Sequence, residues 1–136
     1  LSMSFTFEVV SPEKLLLSAQ VEMAEIPGEE GYLGVLEGHA PMIVQLKGGV
    51  IRITKPDGSQ DQLFVAGGFA EVGQERTTVL ADEAVPLSEL SADAARGRVA
   101  EAEAAYQAAA DADPMTRDAA LRRLESAQAM LEAATH

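Results

Sequence analysis

The side chain with the greatest catalytic potential in this sequence is His39, which lies in the segment 37–41 (Glu-Gly-His-Ala-Pro). A histidine acts as a general base when a nucleophile and a carboxylate lie beside it, and it binds zinc when further ligands surround it. The only other histidine is His136, at the far end of the sequence, and no Ser-His-Asp order can be read. We therefore interpret His39 as a loop residue that hydrogen-bonds to the backbone or to a partner protein.

A second candidate for chemistry is the glycine-rich segment 28–34 (Gly-Glu-Glu-Gly-Tyr-Leu-Gly). Phosphate-binding loops end in Gly-Lys-Ser or Gly-Lys-Thr, because the lysine and the hydroxyl contact phosphates and magnesium. This segment lacks that ending, and its glutamates, Glu29 and Glu30, would repel phosphate. The pattern instead predicts turns between short strands.

Acidic residues offer the remaining candidates for a metal site, namely Asp111 with Asp113, and the pair Glu29-Glu30. Neither set belongs to a twelve-residue loop that ends in glutamate, which is the arrangement that binds calcium in EF-hands. The chain contains no cysteine, so disulfides, cysteine-ligated zinc and thiol catalysis are excluded. We expect no catalytic residues and no metal site.

The charge and hydropathy of the chain restrict its partners. The net charge is -12, which opposes binding to nucleic acids, because such binding depends on lysine and arginine releasing counterions. An anionic membrane surface is disfavoured for the same reason, and no apolar run approaches the roughly 20 residues that span a bilayer. We expect no signal peptide, and we interpret Leu1 and Ser2 as a cloning remnant before a native start at Met3.

The amino-acid composition divides the chain near Pro86. Ten of the eleven glycines and five of the six prolines lie at or before this residue, whereas 17 alanines lie after it. We predict a first domain over residues 1–86 and a second domain over residues 87–136.

Alternating apolar residues in the first domain are typical of β-strands. Phe5, Phe7 and Val9 recur with the period of two that a half-buried strand requires. The same period predicts a second strand over residues 21–25, with positions 21, 23 and 25 on one face. Further strands are predicted over residues 49–54, 62–66, 69–72 and 77–81. Many short strands separated by turn residues favour a β-sandwich or a barrel.

Apolar residues in the second domain follow a helical period. They lie at positions 95, 99, 102, 106 and 109, and again at positions 120, 124, 127, 131 and 134. This mean period of about 3.5 is typical of helices packed lengthwise. Asp113 caps a helix that Pro114 starts, so the loop is short and the two helices run antiparallel. Because alanines bury little area, we expect the hairpin to be only marginally stable alone.

Six segments of the chain resemble, in order and spacing, those of one protein family. They are residues 7–13 (FEVVSPE), 26–35 (IPGEEGYLGV), 38–41 (GHAP), 49–53 (GVIRI), 66–69 (AGGF) and 79–82 (VLAD). Together they resemble the epsilon subunit of F-type ATP synthases, and they extend over nearly the whole first domain.

The resemblance implies a ten-stranded antiparallel β-sandwich followed by an antiparallel two-helix hairpin. It implies a non-catalytic subunit of the central stalk, the rotor, which couples proton flow through the membrane ring of c subunits to ATP synthesis. Such a subunit binds the gamma subunit and the c ring, and it reaches the alpha/beta catalytic head if its helices extend. It lies as a peripheral protein on the cytoplasmic face of the bacterial inner membrane.

The resemblance also implies contact residues. The c-ring contact would comprise Glu29, Glu30, Tyr32 and Leu36, and the gamma contact would comprise His39, Ala40 and Pro41. Some members of the family carry glutamate at the position of Tyr32. The contact at this position would therefore be apolar or hydrogen-bonded here, rather than ionic.

In some members of the family the C-terminal helices bind ATP and switch between a folded hairpin and an extended, inhibitory form. Their first helix carries an Asp-x-x-Arg-Ala motif, whereas this chain has Ser91 and Ala94 at the positions of the Asp and the Arg. The arginines that remain for a nucleotide are Arg96, Arg98, Arg122 and Arg123. We expect ATP binding and inhibition of ATP hydrolysis to be weak or absent, because phosphate recognition needs fixed cations.

Three functions remain open from the sequence. The first is a rotor subunit without chemistry of its own, whose C-terminal helices modulate ATP hydrolysis. The second is an ATP-sensing inhibitory switch of the same complex. The third is a free-standing ligand-binding sandwich or a small hydrolase, and the lack of a convergent nucleophile and base argues against it.

Overall fold

The computed structural model describes residues 3–135, so the proposed cloning remnant, Leu1 and Ser2, lies outside the described residues. The strands are β1 (Phe5–Val10), β2 (Leu15–Val21), β3 (Met23–Gly28), β4 (Gly31–Val35), β5 (Met42–Thr54), β6 (Gln60–Val72), β7 (Arg76–Ala81) and β8 (Ala84–Pro86). A single 3-10 turn (Leu87–Glu89) leads to the helices α1 (Ala92–Ala108) and α2 (Pro114–Ala134).

The strands form one folded sheet in the order β2-β1-β7-β6-β5-β3-β4, with β8 paired to β6. All neighbouring strands are antiparallel except β1 and β7, which run parallel. Within residues 3–135 the expectation of ten antiparallel strands is therefore wrong, because the sheet has eight strands and is mixed. One physical reason is that β1 and β7 are far apart in the chain, so no hairpin fixes their relative direction.

The strand number is lower than expected for a separate reason, which is that β5 and β6 are each 13 residues long. The sequence predicts separate strands before and after Gly67-Gly68, but β6 runs through both glycines as one bent strand. Both glycines have positive φ angles, +103° and +107°, and a Cβ atom at Gly68 would collide with the carbonyl oxygen of Leu80. Glycine thus allows β6 to pair with β8 in its first half and with β7 in its second half.

A β-sandwich core lies between the two halves of the folded sheet. The prediction for the first strand is confirmed, since Phe5, Phe7 and Val9 are all buried. Buried apolar residues of six further strands, β2 to β7, join these three in one cluster.

The prediction of one strand over residues 21–25 is wrong, because the chain changes direction at Glu22. The backbone N–H of Glu22 donates a hydrogen bond of 2.7 Å to the carbonyl of Thr54, and this interrupts the alternation. Ala24 and Ile26 consequently face the core instead of positions 23 and 25.

The two helices begin at side-chain caps and form the expected hairpin. Asp113 accepts a hydrogen bond from the N–H of Thr116 and Pro114 is the first helical residue, so the predicted start is confirmed. Ser91 caps α1 in the same way, by accepting from the N–H of Ala94. The seam between the helices buries Ala102, Leu124 and Ala127, all at predicted positions.

The hairpin docks on the outside of the sandwich through a second, smaller cluster. Phe64 of β6 is fully buried although its side chain lies outside the main core, because it packs against Ala95 of α1 and Met130 of α2. At roughly 25 cal/mol per Å2 of apolar area, this aromatic side chain is the largest single contributor to docking. The predicted apolar positions of the second helix do not include Met130, so they do not indicate this contact with the sandwich.

Gly48 of β5 allows α2 to pack directly on the backbone of the sheet. A Cβ atom at Gly48 would lie 2.9 Å from the Cα atom and 3.1 Å from the Oγ atom of Ser126. These distances are shorter than van der Waals contacts, so any side chain at position 48 must lift the helix.

An ion pair fastens α1 to the turn between β7 and β8. Both terminal nitrogens of the Arg98 guanidinium donate to the carboxylate of Glu83, at 2.6 Å each. This bidentate hydrogen bonding holds the pKa of Glu83 below its usual value, although partial desolvation opposes the shift. The pair restricts the direction in which the hairpin can leave the sandwich.

Thr77 provides a direct test of the core. Its hydroxyl is fully buried and has no hydrogen-bond partner in the structure. The substitution Thr77→Val keeps the side-chain shape and removes this unsatisfied group, so we expect the free energy of unfolding to rise by about 1 kcal/mol. Chemical denaturation measures the change. The control is Thr78→Val, which removes a hydroxyl that donates to Glu8 and should give no gain; a less stable Thr77→Val variant would contradict the packing described.

Gly48 provides a test of helix docking. We expect Gly48→Val to separate α2 from β5, because the new side chain has no space beside Ser126. Hydrogen exchange should then become faster along α2 while the amides of β1 and β7 stay protected. The matched control is Gly97→Ala in α1, where a Cβ atom meets nothing within 4 Å and helix stability should rise by about 1 kcal/mol. Unchanged exchange in α2 of the Gly48→Val variant would refute the docking geometry.

Candidate functional site

The residues 28–31 form the tip of the β3–β4 hairpin. Gly28 pairs with Gly31, which leaves Glu29 and Glu30 as an exposed two-residue turn. Gly31 has a φ of +138°, and a Cβ atom at Gly28 would lie 2.8 Å from the carbonyl oxygen of Gly31. The tight turn therefore depends on glycine at both positions, and it presents two carboxylates to solvent.

Tyr32 lies directly beside this tip and is fixed in orientation. Its hydroxyl accepts a hydrogen bond of 3.1 Å from the backbone N–H of Val50. The hydroxyl lies so close to Gly49 that a Cβ atom there would be 3.0 Å from it. Over half of the side chain remains exposed, so the tip offers an oriented aromatic surface next to the turn that carries the two carboxylates.

Leu36 and His39 belong to the loop that connects β4 with β5. The N–H of His39 donates to the carbonyl of Leu36, and the N–H of Gly38 donates to the carbonyl of Gln74 at 2.8 Å. The His39 ring donates from Nδ1 to the carbonyl of Ala40 at 2.8 Å. This backbone contact agrees with a loop histidine.

The structure does not bring all the predicted contact residues together. Glu29, Glu30 and Tyr32 lie at one end of β4, whereas Leu36 lies at the other end, with His39. The five residues of β4 separate the two groups by about 16 Å. The predicted c-ring residues thus form two separate groups. A c-ring surface that contacts both groups must extend over the full length of β4.

Three of the four arginines considered for a nucleotide border one groove. This groove has a volume of about 660 Å3 and is lined by Arg98, Arg122 and Arg123, but not by Arg96. Arg96 instead pairs with Asp93 at 2.8 Å.

Carboxylates neutralise this groove. Arg98 donates from both of its terminal nitrogens to Glu83, and Arg123 lies 3.8 Å from Glu101. Asp82 lines the groove as well. A triphosphate would have to displace these acidic partners, so the groove is poorly suited to bind one.

Sequence reasoning missed two exposed apolar residues on the outer face of the sheet. Ile43 of β5 is 72% exposed and Phe69 of β6 is 41% exposed. Alternation along each strand could have found them, because both lie one position away from inward-facing residues, Val44 and Ala70.

Clusters of metal-ligating side chains and membrane-spanning helices are both absent from residues 3–135. Within residues 3–135 no group of three or more histidine, cysteine, aspartate or glutamate side chains is arranged to hold a metal ion. No helix in this range is long and apolar enough to cross a membrane.

Comparison with known proteins gives a consistent result over the whole chain. Residues 4–87 match the family model described as ATP synthase, Delta/Epsilon chain, beta-sandwich domain. The chain is 54% identical to the ATP synthase epsilon chain of Granulibacter bethesdensis over 131 residues, which are 96% of this chain and 97% of the relative. It is 44% identical to the ATP synthase epsilon chain of Gluconacetobacter diazotrophicus, with 97% and 94% of the two chains covered.

Solved structures show the same fold. A chain in the cryo-EM structure of the Euglena gracilis mitochondrial ATP synthase, OSCP/F1/c-ring in rotational state 1, superposes with a TM-score of 0.78 at 29% identity. The superposition covers 100% of this chain and 84% of that chain. A chain in the central stalk/c-ring structure of the Tetrahymena thermophila mitochondrial ATP synthase, at 12% identity and a TM-score of 0.65, supports the fold alone.

The family model accounts for the sandwich, and the relatives extend the match through both helices. On these grounds the chain belongs to the epsilon chains of the ATP synthase delta/epsilon family.

Proposed function

We propose that this chain is a non-catalytic rotor subunit in the central stalk of an F-type ATP synthase, where it couples proton flow through the c ring to ATP synthesis. The observation that carries the proposal is the 54% identity to an epsilon chain over 96% of the sequence. The structure supports a role in binding, since the turn and loop after β3 present large exposed apolar side chains, Tyr32 and Leu36.

The two parts of the chain have different roles in this proposal. Residues 1–86 form the unit that binds gamma and the c ring, and residues 87–136 form a hairpin that modulates ATP hydrolysis. When its helices extend, the hairpin reaches the alpha/beta catalytic head. The subunit works as a peripheral protein on the cytoplasmic face of the bacterial inner membrane, which agrees with the bacterial source of its relatives.

The hairpin tip and the following loop provide the proposed contacts. Glu29, Glu30, Tyr32 and Leu36 face the c ring, and His39, Ala40 and Pro41 face gamma. The fixed ring of Tyr32 supports an apolar or hydrogen-bonded contact, because its hydroxyl is held by Val50 and its face is open. The hydrogen bonds of His39 to its own loop support a positioning role, since they present Pro41 in a defined conformation.

Adding the chain to an ATP synthase depleted of its epsilon subunit should restore ATP-driven proton pumping. We expect Leu36→Asp to weaken c-ring binding at least tenfold, because it places a charge in an apolar contact. Leu36 is 56% exposed, so the folded chain should tolerate the change.

The matched control for this test is Leu15→Asp, at a leucine of β2 that is 55% exposed. This variant should bind the c ring as well as the unchanged chain. Failure of the unchanged chain to restore pumping would refute the proposed function. Equal binding of the Leu36→Asp variant would refute only the contact at Leu36.

An ATP-sensing switch is the alternative function, and calorimetry separates it from simple coupling. We expect no binding of ATP to the purified chain up to millimolar concentration, with or without magnesium, because Glu83 and Glu101 pair with two of the three arginines of the groove, Arg98 and Arg123. Glu83→Gln removes the acidic partner of Arg98 and should raise the affinity for ATP. Micromolar binding by the unchanged chain that is lost in Arg122→Ala would establish the switch instead.

A further inference from the structure

The pairing between β3 and β5 is interrupted in the middle of the ladder. Regular pairing stops after Glu25 with Arg52, and it resumes at Gly28 with Leu46. The two residues of β3 between these pairs therefore lie opposite the five residues 47–51 of β5. Such an interruption leaves backbone groups of the longer segment without the partners that a regular sheet supplies.

Pro27 is one cause of the interruption, because proline has no N–H and cannot donate a hydrogen bond to a neighbouring strand. It lies in β3, between β4 and β5. Its ring packs on Gly49 of β5, since a Cβ atom at Gly49 would lie 2.7 Å from the Cβ atom and 3.2 Å from the Cγ atom of Pro27. At this point the two strands are therefore in contact through packing, without a hydrogen bond donated by Pro27.

The side chain of Tyr32 bridges the interruption from β4. Tyr32 pairs with Pro27, so the two side chains lie next to each other on one face of the sheet. The Tyr32 hydroxyl reaches across β3 to β5, where it accepts a hydrogen bond of 3.1 Å from the N–H of Val50. Val50 belongs to the segment 47–51, which has no pair with β3 in the ladder of the described residues. A side-chain oxygen thus takes the place of a ladder acceptor.

This bridge holds the hairpin tip on β5 from a second side. On the β3 side of the turn, the N–H of Glu29 donates a hydrogen bond of 2.9 Å to the carbonyl of Gln45. On the β4 side of the turn, the link to β5 is the hydrogen bond between Tyr32 and Val50. Loss of the Tyr32 hydroxyl would leave the turn attached to β5 through its β3 side.

We infer that Tyr32 is a positioning residue for the c-ring contact, whose hydroxyl acts inside the chain by holding the turn 29–30 against β5. The inference rests on the proposed function, in which this turn faces the c ring. The hydroxyl is engaged by Val50, and the absence of a side chain at Gly49 makes room for it, since a Cβ atom there would lie 3.0 Å away. The surface left for a partner is the exposed ring together with the turn.

Hydrogen exchange of the free chain tests the bridge itself. Tyr32→Phe removes the hydroxyl and keeps the ring, and we expect the Val50 amide to exchange about tenfold faster in this variant because it loses its acceptor. The matched control is Tyr106→Phe, which removes the same atom from a tyrosine of α1 and should leave the exchange of Val50 unchanged. Unchanged exchange at Val50 in the Tyr32→Phe variant would overturn the inference.

Binding of the Tyr32→Phe variant to the purified c ring and to purified gamma tests the positioning role. We expect the affinity for the c ring to fall about fivefold, which corresponds to the loss of one ordinary hydrogen bond. The affinity for gamma should be unchanged, because the proposed gamma contact lies beyond the other end of β4. A general loss of structure would lower both affinities. An unchanged affinity for the c ring, or an equal loss for both partners, would therefore contradict the role of Tyr32.

The variant Gly49→Ala separates positioning from direct contact. Its added methyl group takes the space beside the Tyr32 hydroxyl, so we expect it to break the hydrogen bond to Val50 while the hydroxyl stays on the ring. The c-ring affinity of this variant should fall as it does for Tyr32→Phe. The matched control is Gly97→Ala, where a Cβ atom meets nothing within 4 Å and binding should be normal. Normal c-ring binding by Gly49→Ala, with fast exchange at Val50, would assign the hydroxyl to a direct contact and refute the inference.

The proposed function and the role of Tyr32 fail in different ways. If the unchanged chain binds neither the c ring nor gamma, the proposed function itself is wrong. If the unchanged chain binds the c ring, and Tyr32→Phe and Gly49→Ala bind it equally well, only the positioning role of Tyr32 is wrong.

Discussion

The pairing of β5 with β6 is the interaction on which the rest of the structure depends. Both strands are 13 residues long and pass through both halves of the sandwich. Their continuous backbones, together with the hydrogen bonds between them, therefore connect the two layers. The glycine pairs 48–49 and 67–68 lie at nearly the same level of the ladder, since Gly48 pairs with Ala66 and Leu46 pairs with Gly68. The sheet folds over at this level because side chains are absent from both strands there.

The same glycines serve the surfaces on either side of the ladder. Gly48 provides the flat site on which Ser126 of α2 rests, and Gly49 leaves space for Tyr32 and the hairpin tip. The docked hairpin and the contact face therefore share one short stretch of β5. Gly48, which contacts α2, and Gly49, which contacts Tyr32 beside the tip, are adjacent in the backbone of β5.

Local features of the fold could be predicted from the sequence, and long-range features could not. The alternation of Phe5, Phe7 and Val9 and the Asp113-Pro114 start depend on neighbouring residues, and both are found in the structure. The break at Glu22 depends on a hydrogen bond to Thr54, which no local pattern reports. The candidate site follows the same rule. The glycines of its turn indicate the hairpin tip in the sequence, whereas the hydrogen bond from Val50 to Tyr32 joins positions that are 18 residues apart.

The parallel pairing of β1 with β7 determines the order in which the chain can fold. Thr6 lies beside Arg76 in this ladder, so the β1–β2 hairpin remains incomplete until the 60 residues from 22 to 81, which end with β7, have been synthesised. Contacts this distant in sequence slow folding, because the loop between them must close first. The helices, which are synthesised last, then meet a finished sandwich surface. The hairpin is thus the last part of the chain to join the fold, and it packs on a sheet whose strand pairing is already complete.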